Sequence, residues 1–425
     1  MQLYNKAMNS SINGLNESFV EMYREQLSDE MALTLLPAIL ILCFIIIIGL
    51  VGNCLVFYVY YYKFTSSSAR TAILVLAFSD LITCTISIPG EIIDMRYSYN
   101  FTSELLCRGV RLVATVVLIA SGFVLVTVAV DRYQRICHPL GNHLTAKAVW
   151  KRVLFLYILA TLFAVPAPIV YGIAEVATPM SGVYGSECST NQFFKSHPLP
   201  IAYSVILLLV FVTAFTIMIV IYVLIGRKVL RQNKFRKNVR VRKGSIASQD
   251  TNHRHTVCST SQENEPSLSD GVKNSSIVQE EPENNMHQEE SKVKQHNNNN
   301  GTKLTRKSSV IRHLRKLSST GDARTRKTTM MLFFITLVFV LSFLPHIALK
   351  AVQALNKNFM SSLSVTGVIF YNIFVRSCFF NTAVNFFIYG FCSPKFRHEC
   401  RNIFLKLTFW IKNKRRASIR SDDIQ

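Results

Sequence analysis

The ten cysteines include no CxxC pair and no Cys/His spacing of the zinc type, which excludes the common structural-metal modules. No His-x-x-x-His pair lies in an apolar run, and the histidines fall mostly between such runs. No metal-dependent or nucleophile–base catalytic set is therefore visible, and the chain does not read as an enzyme. There is no internal repeat of the transporter kind, and no polar stripe or re-entrant filter that a channel would need. The first 30 or so residues lack the short apolar core of a cleavable signal peptide, so the first apolar run is expected to do the targeting. Acids are few: 25 Asp and Glu stand against 47 Lys and Arg, a formal net charge of +22. That balance can mark a nucleic-acid binder. Here the cations sit between apolar runs and in the C-terminal tail, which is the footprint of membrane orientation and speaks against a nucleic-acid partner.

What the chain does have is length without charge. Seven apolar runs lie at roughly 32–62, 71–95, 104–137, 149–173, 198–227, 323–352 and 361–391. Each is long enough for a helix to cross a ~30 Å hydrocarbon core. The expected fold class is an all-α membrane protein, a seven-transmembrane-helix bundle. Pro89, Pro166, Pro168 and Pro345 fall inside or near the ends of these runs, where membrane helices tolerate kinks. Lys63, Arg70, Arg135, Lys147, Lys151 and Arg152 crowd one side, and Asp94, Glu104, Glu175 and Glu187 the other. The positive-inside bias puts the N-terminus outside and the C-terminus in the cytoplasm of a multi-pass plasma-membrane protein. The organisation read from this is an extracellular tail at 1–31, helices one to five at 32–227, a cytoplasmic loop at 228–322, helices six and seven at 323–391, and an amphipathic helix and tail at 392–425. Sequons at Asn9, Asn16 and Asn100 then face outward as glycosylation sites, while those at Asn274 and Asn300 face inward. The loop at 228–322 is rich in Asn, Ser, Gln, Glu and Lys and too poor in apolar clusters to fold, so it is expected to be disordered, with basic ends that continue the flanking helices near anionic lipid.

Two features point to mechanism. Asp131-Arg132-Tyr133 closes the third run at the cytoplasmic face, where an arginine can switch between a local carboxylate and a partner protein; the alternative is an Arg snorkelling to headgroups. Asp80 sits in the middle of the second run, and a carboxylate at that depth marks function by default.

With these residues stand Gly52-Asn53, Leu76-Ala-Phe-Ser-Asp80, Cys107, Phe339 followed by Ser342-Phe343-Leu344-Pro345, Asn381, Asn385-Phe386-Phe387-Ile388-Tyr389 and Phe396-Arg397. Over all but the N-terminal tail, the long loop and the last residues, the chain resembles a rhodopsin-like (class A) G-protein-coupled receptor. The resemblance implies a short amphipathic eighth helix after the seventh span. It implies a resting-state sodium ion among Asp80, Ser121, Asn381 and Asn385, the alternative being a protonated Asp80 hydrogen-bonded to the asparagines. No further metal or cofactor is implied. It also implies a Cys107–Cys188 disulfide, an activation sensor of Phe339, Phe343 and Pro345, and a heterotrimeric G protein engaged through Asp131, Arg132, Tyr133, Tyr222 and Tyr389. Arrestin, receptor kinases and membrane lipids are the further partners. Cys400 is a candidate for palmitoylation, and Ser245, Ser308 and Ser418 lie in basic contexts suited to phosphorylation.

The departures from the family are specific. Phe343 stands for the usual Trp of the sixth helix, Ala214 for the Pro of the fifth, Gly122 for a branched residue in the third, and Phe386 for Pro in the seventh. The fourth helix has no Trp where one is expected. Thr325 stands near the place of the acid that often pairs with the motif arginine, so Arg132 is expected to rest on Asp131 alone, with raised basal activity. Ala114 occupies the position where amine receptors carry Asp, and Phe379 that of the retinal-binding Lys, which argues against both ligand types. The outer halves of the helices offer Glu91, Asp94, Arg111, His346, Lys350 and Arg376 around Ala114 as the ligand site. Three cations there fit a ligand with acidic groups; in the alternative, Arg111 and Arg376 pair with Glu91 and Asp94 and bind nothing. Thr178, Val183 and Tyr184 before Cys188 fit a β-hairpin lid, which in the family accompanies peptide ligands. A neuropeptide is the first choice, a small anion such as a fatty acid or nucleotide the second, and a transporter or channel the distant one.

Overall fold

The structure, a computed structural model, describes residues 17–138, 141, 145–256, 300–356 and 359–422. Asn9, Asn16, Asn274 and the 257–299 part of the loop expected to be disordered lie outside the described residues, and so do the side chains of Ser245, Ser308 and Ser418.

Among the described residues the helices are α1 (Glu17–Thr34), α2 (Leu36–Lys63), α3 (Ser68–Ile82), α4 (Ile88–Arg96), α5 (Glu104–Cys137), α6 (Ala146–Ala164), α7 (Ala167–Val170), α8 (Leu199–Thr256), α9 (Asn300–Leu355), α10 (Val365–Val375), α11 (Phe380–Cys392) and α12 (Pro394–Asp422). Six stretches are long and apolar enough to cross a membrane: Leu36–Lys63, Ser68–Arg96, Glu104–Cys137, Lys147–Val170, Leu199–Gln232 and Lys327–Gln353. The pair Val365–Val375 and Ser377–Cys392, bent by 41°, supplies a seventh. These make one unit, which ends at Lys228 and resumes at Ala323; Val229–Asp322 is a separate unit, helical where it is described.

Local chemistry sets the helix starts. Ser67, Ser103, Thr145 and Ser364 each accept a hydrogen bond from the backbone N–H three residues on, capping α3, α5, α6 and α10. Between α3 and α4 the chain widens into a π-helical turn, Thr83–Ser87, just ahead of Pro89, which has no N–H to give. In α2, Leu36, Leu40, Phe44, Ile47 and Val51 form an exposed stripe suited to lipid, while Ala38, Leu42, Ile45, Gly49, Gly52 and Val56 turn inward. The inward glycines permit close approach to α11: a Cβ on Gly52 would lie 2.7 Å from that of Phe386.

The seventh span differs from the single run read in the sequence. It unwinds at Arg376 and Ser377–Phe379, and α11 passes unbroken through Phe386. The family's proline is absent there, so the bend sits nearer the outer end, where Arg376 donates to Glu91 and the Ser377 hydroxyl to the Ser342 carbonyl at 2.6 Å.

Strands β1 (Tyr171–Ala177) and β2 (Tyr184–Thr190) pair antiparallel, Tyr171 opposite Thr190, as the hairpin lid expected of this loop. Its turn closes through the Thr178 hydroxyl, which donates to the carbonyls of Met180 and Val183, and Gly182 takes a φ of 85°. The Cys107–Cys188 disulfide, with Cα atoms 5.6 Å apart, pins β2 to the start of α5.

Candidate functional site

At the lid end, Glu91 is held one helical turn past the π-turn, Arg111 lies two turns into α5, and Arg376 stands at the break of the seventh span. Arg111 Nη1 donates to Glu91 Oε1 at 2.6 Å and its Nη2 to Asp94 Oδ2 at 3.0 Å. Arg376 Nε donates to Glu91 Oε2 at 2.9 Å and its Nη1 to Asn372 Oδ1 at 2.7 Å. Each oxygen of Glu91 thus serves a different arginine, and the helices carrying them are stapled together. Burial demands this pairing: the side chains of Glu91 and Arg376 are only 12% and 11% exposed. Arg111 also reaches the Cys188 carbonyl at 3.4 Å and stands over the Tyr171 ring, tying the cluster to the lid.

This corrects the expectation of three available cations. Arg111 and Arg376 are consumed by Glu91 and Asp94. Only Lys350 is exposed and, among the described residues, has no ion-pair partner within 4.0 Å. His346 is engaged as well, its Nδ1 hydrogen-bonded to the Val375 carbonyl. Ala114, half-buried, lies one turn beyond Arg111 on α5. Above them on β2, burial raises the Glu187 carboxyl beyond its ordinary range, against a hydrogen bond from Ser189 that lowers it.

Sequence reasoning missed α1 as part of this face. The Asp29 carboxylate pairs with Arg96 at 2.6 Å, buried Ser28 accepts from the Tyr99 N–H at 3.1 Å, and Arg24 donates to the Tyr184 carbonyl of the lid at 2.8 Å. The available signal of a helix was the four-residue spacing of Gln26 and Glu30, which lets the Gln26 amide donate to the Glu30 carboxylate at 3.1 Å.

At the midplane, Asp80, Ser121, Asn381 and Asn385 are all buried, and Asn385 Nδ2 donates to Asp80 Oδ2 at 2.8 Å. The side-chain carbonyl oxygens of Asn381 and Asn385 have no hydrogen-bond donor among the described residues. Asn53 links α2 to the seventh span by donating to the Thr382 carbonyl at 2.9 Å. The missing tryptophan of the fourth helix has a counterpart in Tyr157, whose hydroxyl meets that of Ser79 at 2.6 Å. Phe339 and Phe343, expected as the sensor, lie in an aromatic cluster: Phe339 to Phe343 at 4.7 Å, Phe343 to Phe211 at 5.4 Å and Phe215 to Phe339 at 6.0 Å, with Pro345 two residues beyond Phe343 in the same helix.

At the end of the bundle away from the lid, Arg132 is buried and pairs with Asp131. It does not rest on Asp131 alone, as the missing acid implied: Ser68 accepts from it at 3.4 Å, and Arg135 shares the Asp131 carboxylate at 3.1 Å. Tyr222 bonds Thr336 at 3.2 Å and so links α8 to α9, whereas the Tyr133 ring meets His138. Tyr389 is fully buried among Tyr60 and Phe396, and its hydroxyl makes no hydrogen bond among the described residues. Cys400 packs half-buried against the bundle, and burial pushes its thiol up to about 11.

A bundle of seven membrane-spanning stretches, lidded at one end by a disulfide-anchored hairpin and closed at the other by an Asp-Arg-Tyr triplet, defines a transmembrane receptor. The model of the 7 transmembrane receptor (rhodopsin family) matches residues 52–389, and the chain belongs to that family. It is similar to the annetocin receptor of Eisenia fetida, 36% identical over 120 residues, or 28% of each chain. Cephalotocin receptor 2 of Octopus vulgaris is 33% identical over 114 residues, 26% of each chain. The neuropeptide S receptor of Homo sapiens is 31% identical over 124 residues, 29% of this chain and 33% of that one. The matched segments span a third or less of these relatives.

Proposed function

We propose that the protein is a plasma-membrane receptor that recognises an extracellular peptide at the ionic mouth and activates a heterotrimeric G protein through Arg132. The observation that carries the reading is the mouth itself: charged groups from the second, third, sixth and seventh spans meet beneath a hairpin lid, and Lys350 is left over for an acidic group of the ligand. Relatives named as receptors for annetocin, cephalotocin and neuropeptide S support a peptide. Ligand that binds the active arrangement better shifts the resting population toward a state with the sixth helix swung outward, opening a cleft for a helix of the G protein.

The test is G-protein activation in cells expressing the chain, scanned against a pool of neuropeptides. A response is expected that Arg132→Ala abolishes and Lys350→Ala weakens about tenfold in potency, the loss of one charge-assisted contact. No response to any peptide, at good surface expression, points to the small-anion ligand instead. Unchanged potency in Lys350→Ala removes the acidic-group recognition.

A sodium ion in the resting state is part of the same proposal. Asp80, Ser121, Asn381 and Asn385 supply only oxygen donors, and two of those oxygens are buried without a partner, which fits a hard cation. Bound there, the ion would supply the counter-charge that Asp80 needs in an apolar interior. Exchanging sodium for a larger organic cation should raise agonist affinity in the native protein and leave Asp80→Asn unmoved; equal shifts in both would remove the ion from this pocket.

A further inference from the structure

We propose that Ser68 is the positioning residue that holds the switch arginine in the resting state. Asp131 carries one carboxylate but faces two guanidinium groups, Arg132 and Arg135. The Ser68 hydroxyl completes the set. It donates to Asp131 Oδ2 at 3.1 Å, accepts from Arg135 Nη2 at 2.9 Å, and accepts from Arg132 Nη2 at 3.4 Å. A hydroxyl has one proton and two lone pairs, and all three are used. Ser68 is 4% exposed, Asp131 5% and Arg132 4%, so bulk water does not substitute.

Two observations separate this from a plain structural role. The helix start does not need this hydroxyl, because Ser67 caps α3 by accepting from the Arg70 N–H. Among the described residues no neighbour replaces it either. The small cavity beside the cluster is walled by Ala69, Ala72, Val128, Val153 and Leu332, and the Thr127 hydroxyl there donates to the Phe123 carbonyl. Arg132 Nε is buried and has no partner among the described residues, so within them its hold on the bundle runs through Nη2 to Asp131 and Ser68. The second span thereby clamps the arginine from the side, and outward movement of the sixth helix gains a free Arg132 only when this clamp opens.

The proposal rests on the G-protein reading for its cellular readout, so the test carries a second readout that does not. Ser68→Ala, Ser68→Cys, Ser68→Thr, Asp131→Asn and the Ser68→Ala/Asp131→Asn double variant are compared for basal G-protein activation per surface receptor. In purified protein, the spacing of spin labels on the cytoplasmic ends of the third and sixth helices is measured. Ser68→Ala should raise basal activity about tenfold and enlarge the population with wide label spacing. Ser68→Cys, a weaker hydrogen-bonding isostere, should do so by less, and Ser68→Thr, whose methyl has the cavity to enter, should restore the native level. The double variant should exceed Asp131→Asn by little, because both act on one clamp. Additive effects, or native label spacing in both Ser68→Ala and Ser68→Cys, overturn the proposal. Silence of every variant toward G proteins, with the label spacing shifted as expected, overturns the G-protein reading and leaves the clamp standing.

Discussion

Replacing Glu91 by glutamine is expected to cost the folded receptor about 3–5 kcal/mol, the range for removing one partner of a buried ion pair. Glu91 is the single group that satisfies two arginines at short range, with Oε1 2.6 Å from Arg111 and Oε2 2.9 Å from Arg376. Glutamine keeps one acceptor and turns an amide donor toward a guanidinium that is itself only a donor. Asp94 then faces both cations, 3.0 Å from Arg111 but 3.9 Å from Arg376, too far to take over the second. Asp94→Asn is the control. It removes one short contact and leaves both arginines bound to Glu91, so its effect should be less than half as large. Thermal inactivation of the detergent-solubilised receptor reads both variants. If the two cost the same, or if Glu91→Gln lies within about 1 kcal/mol of the native protein, the cluster is a wet surface network and not the staple of the second, third and seventh spans.

That cluster marks where reading the sequence stops. Seven spans are legible because a long apolar run with almost no charge has one physical meaning in a chain of this composition, and Thr178, Val183 and Tyr184 before Cys188 carry enough turn and strand character to announce the hairpin. The outer charges are legible as an inventory and not as a pairing. Whether Arg111 meets Glu91 or a ligand depends on the azimuth of α5 against α4, and the periodicity of either helix leaves that angle open. The bend at Arg376 has no proline or glycine to signal it. It follows from tertiary hydrogen bonds of Arg376 and Ser377 to residues far away in the chain. Ser68 was invisible for the same reason: it is one of three consecutive serines, and only the fold selects the one beneath Arg132. Tyr157 shows the complementary case. The tryptophan that the family resemblance leads one to expect is absent from the fourth helix, and Tyr157 makes the contact between the second and fourth spans through Ser79.

Gly122 is the departure with the largest expected consequence for signalling. Where the family carries a branched residue, the missing side chain leaves room for the end of the Phe339 ring: a Cβ built on Gly122 would lie 3.8 Å from Phe339 Cζ, an ordinary contact. Gly122→Ala should therefore fold and signal as the native protein does. Gly122→Ile adds γ and δ carbons that extend roughly 2.5 Å beyond Cβ and cannot avoid the ring. Phe339 cannot yield alone, since it stacks on Phe343 at 4.7 Å and meets Phe215 edge-on, and Phe343 in turn lies against Phe211 of the fifth span. Overpacking of this kind costs about 1–3 kcal/mol. Because Phe339 and Phe343 belong to the sixth helix, relief comes from moving that helix outward. The cost is borne by the resting state, and basal activity per surface receptor should rise roughly tenfold to a hundredfold. Phe339→Leu in the same chain shortens the ring side and should bring the activity back toward the native level. Native basal activity in Gly122→Ile, at native surface expression, would show that the sixth helix is not held by this stack.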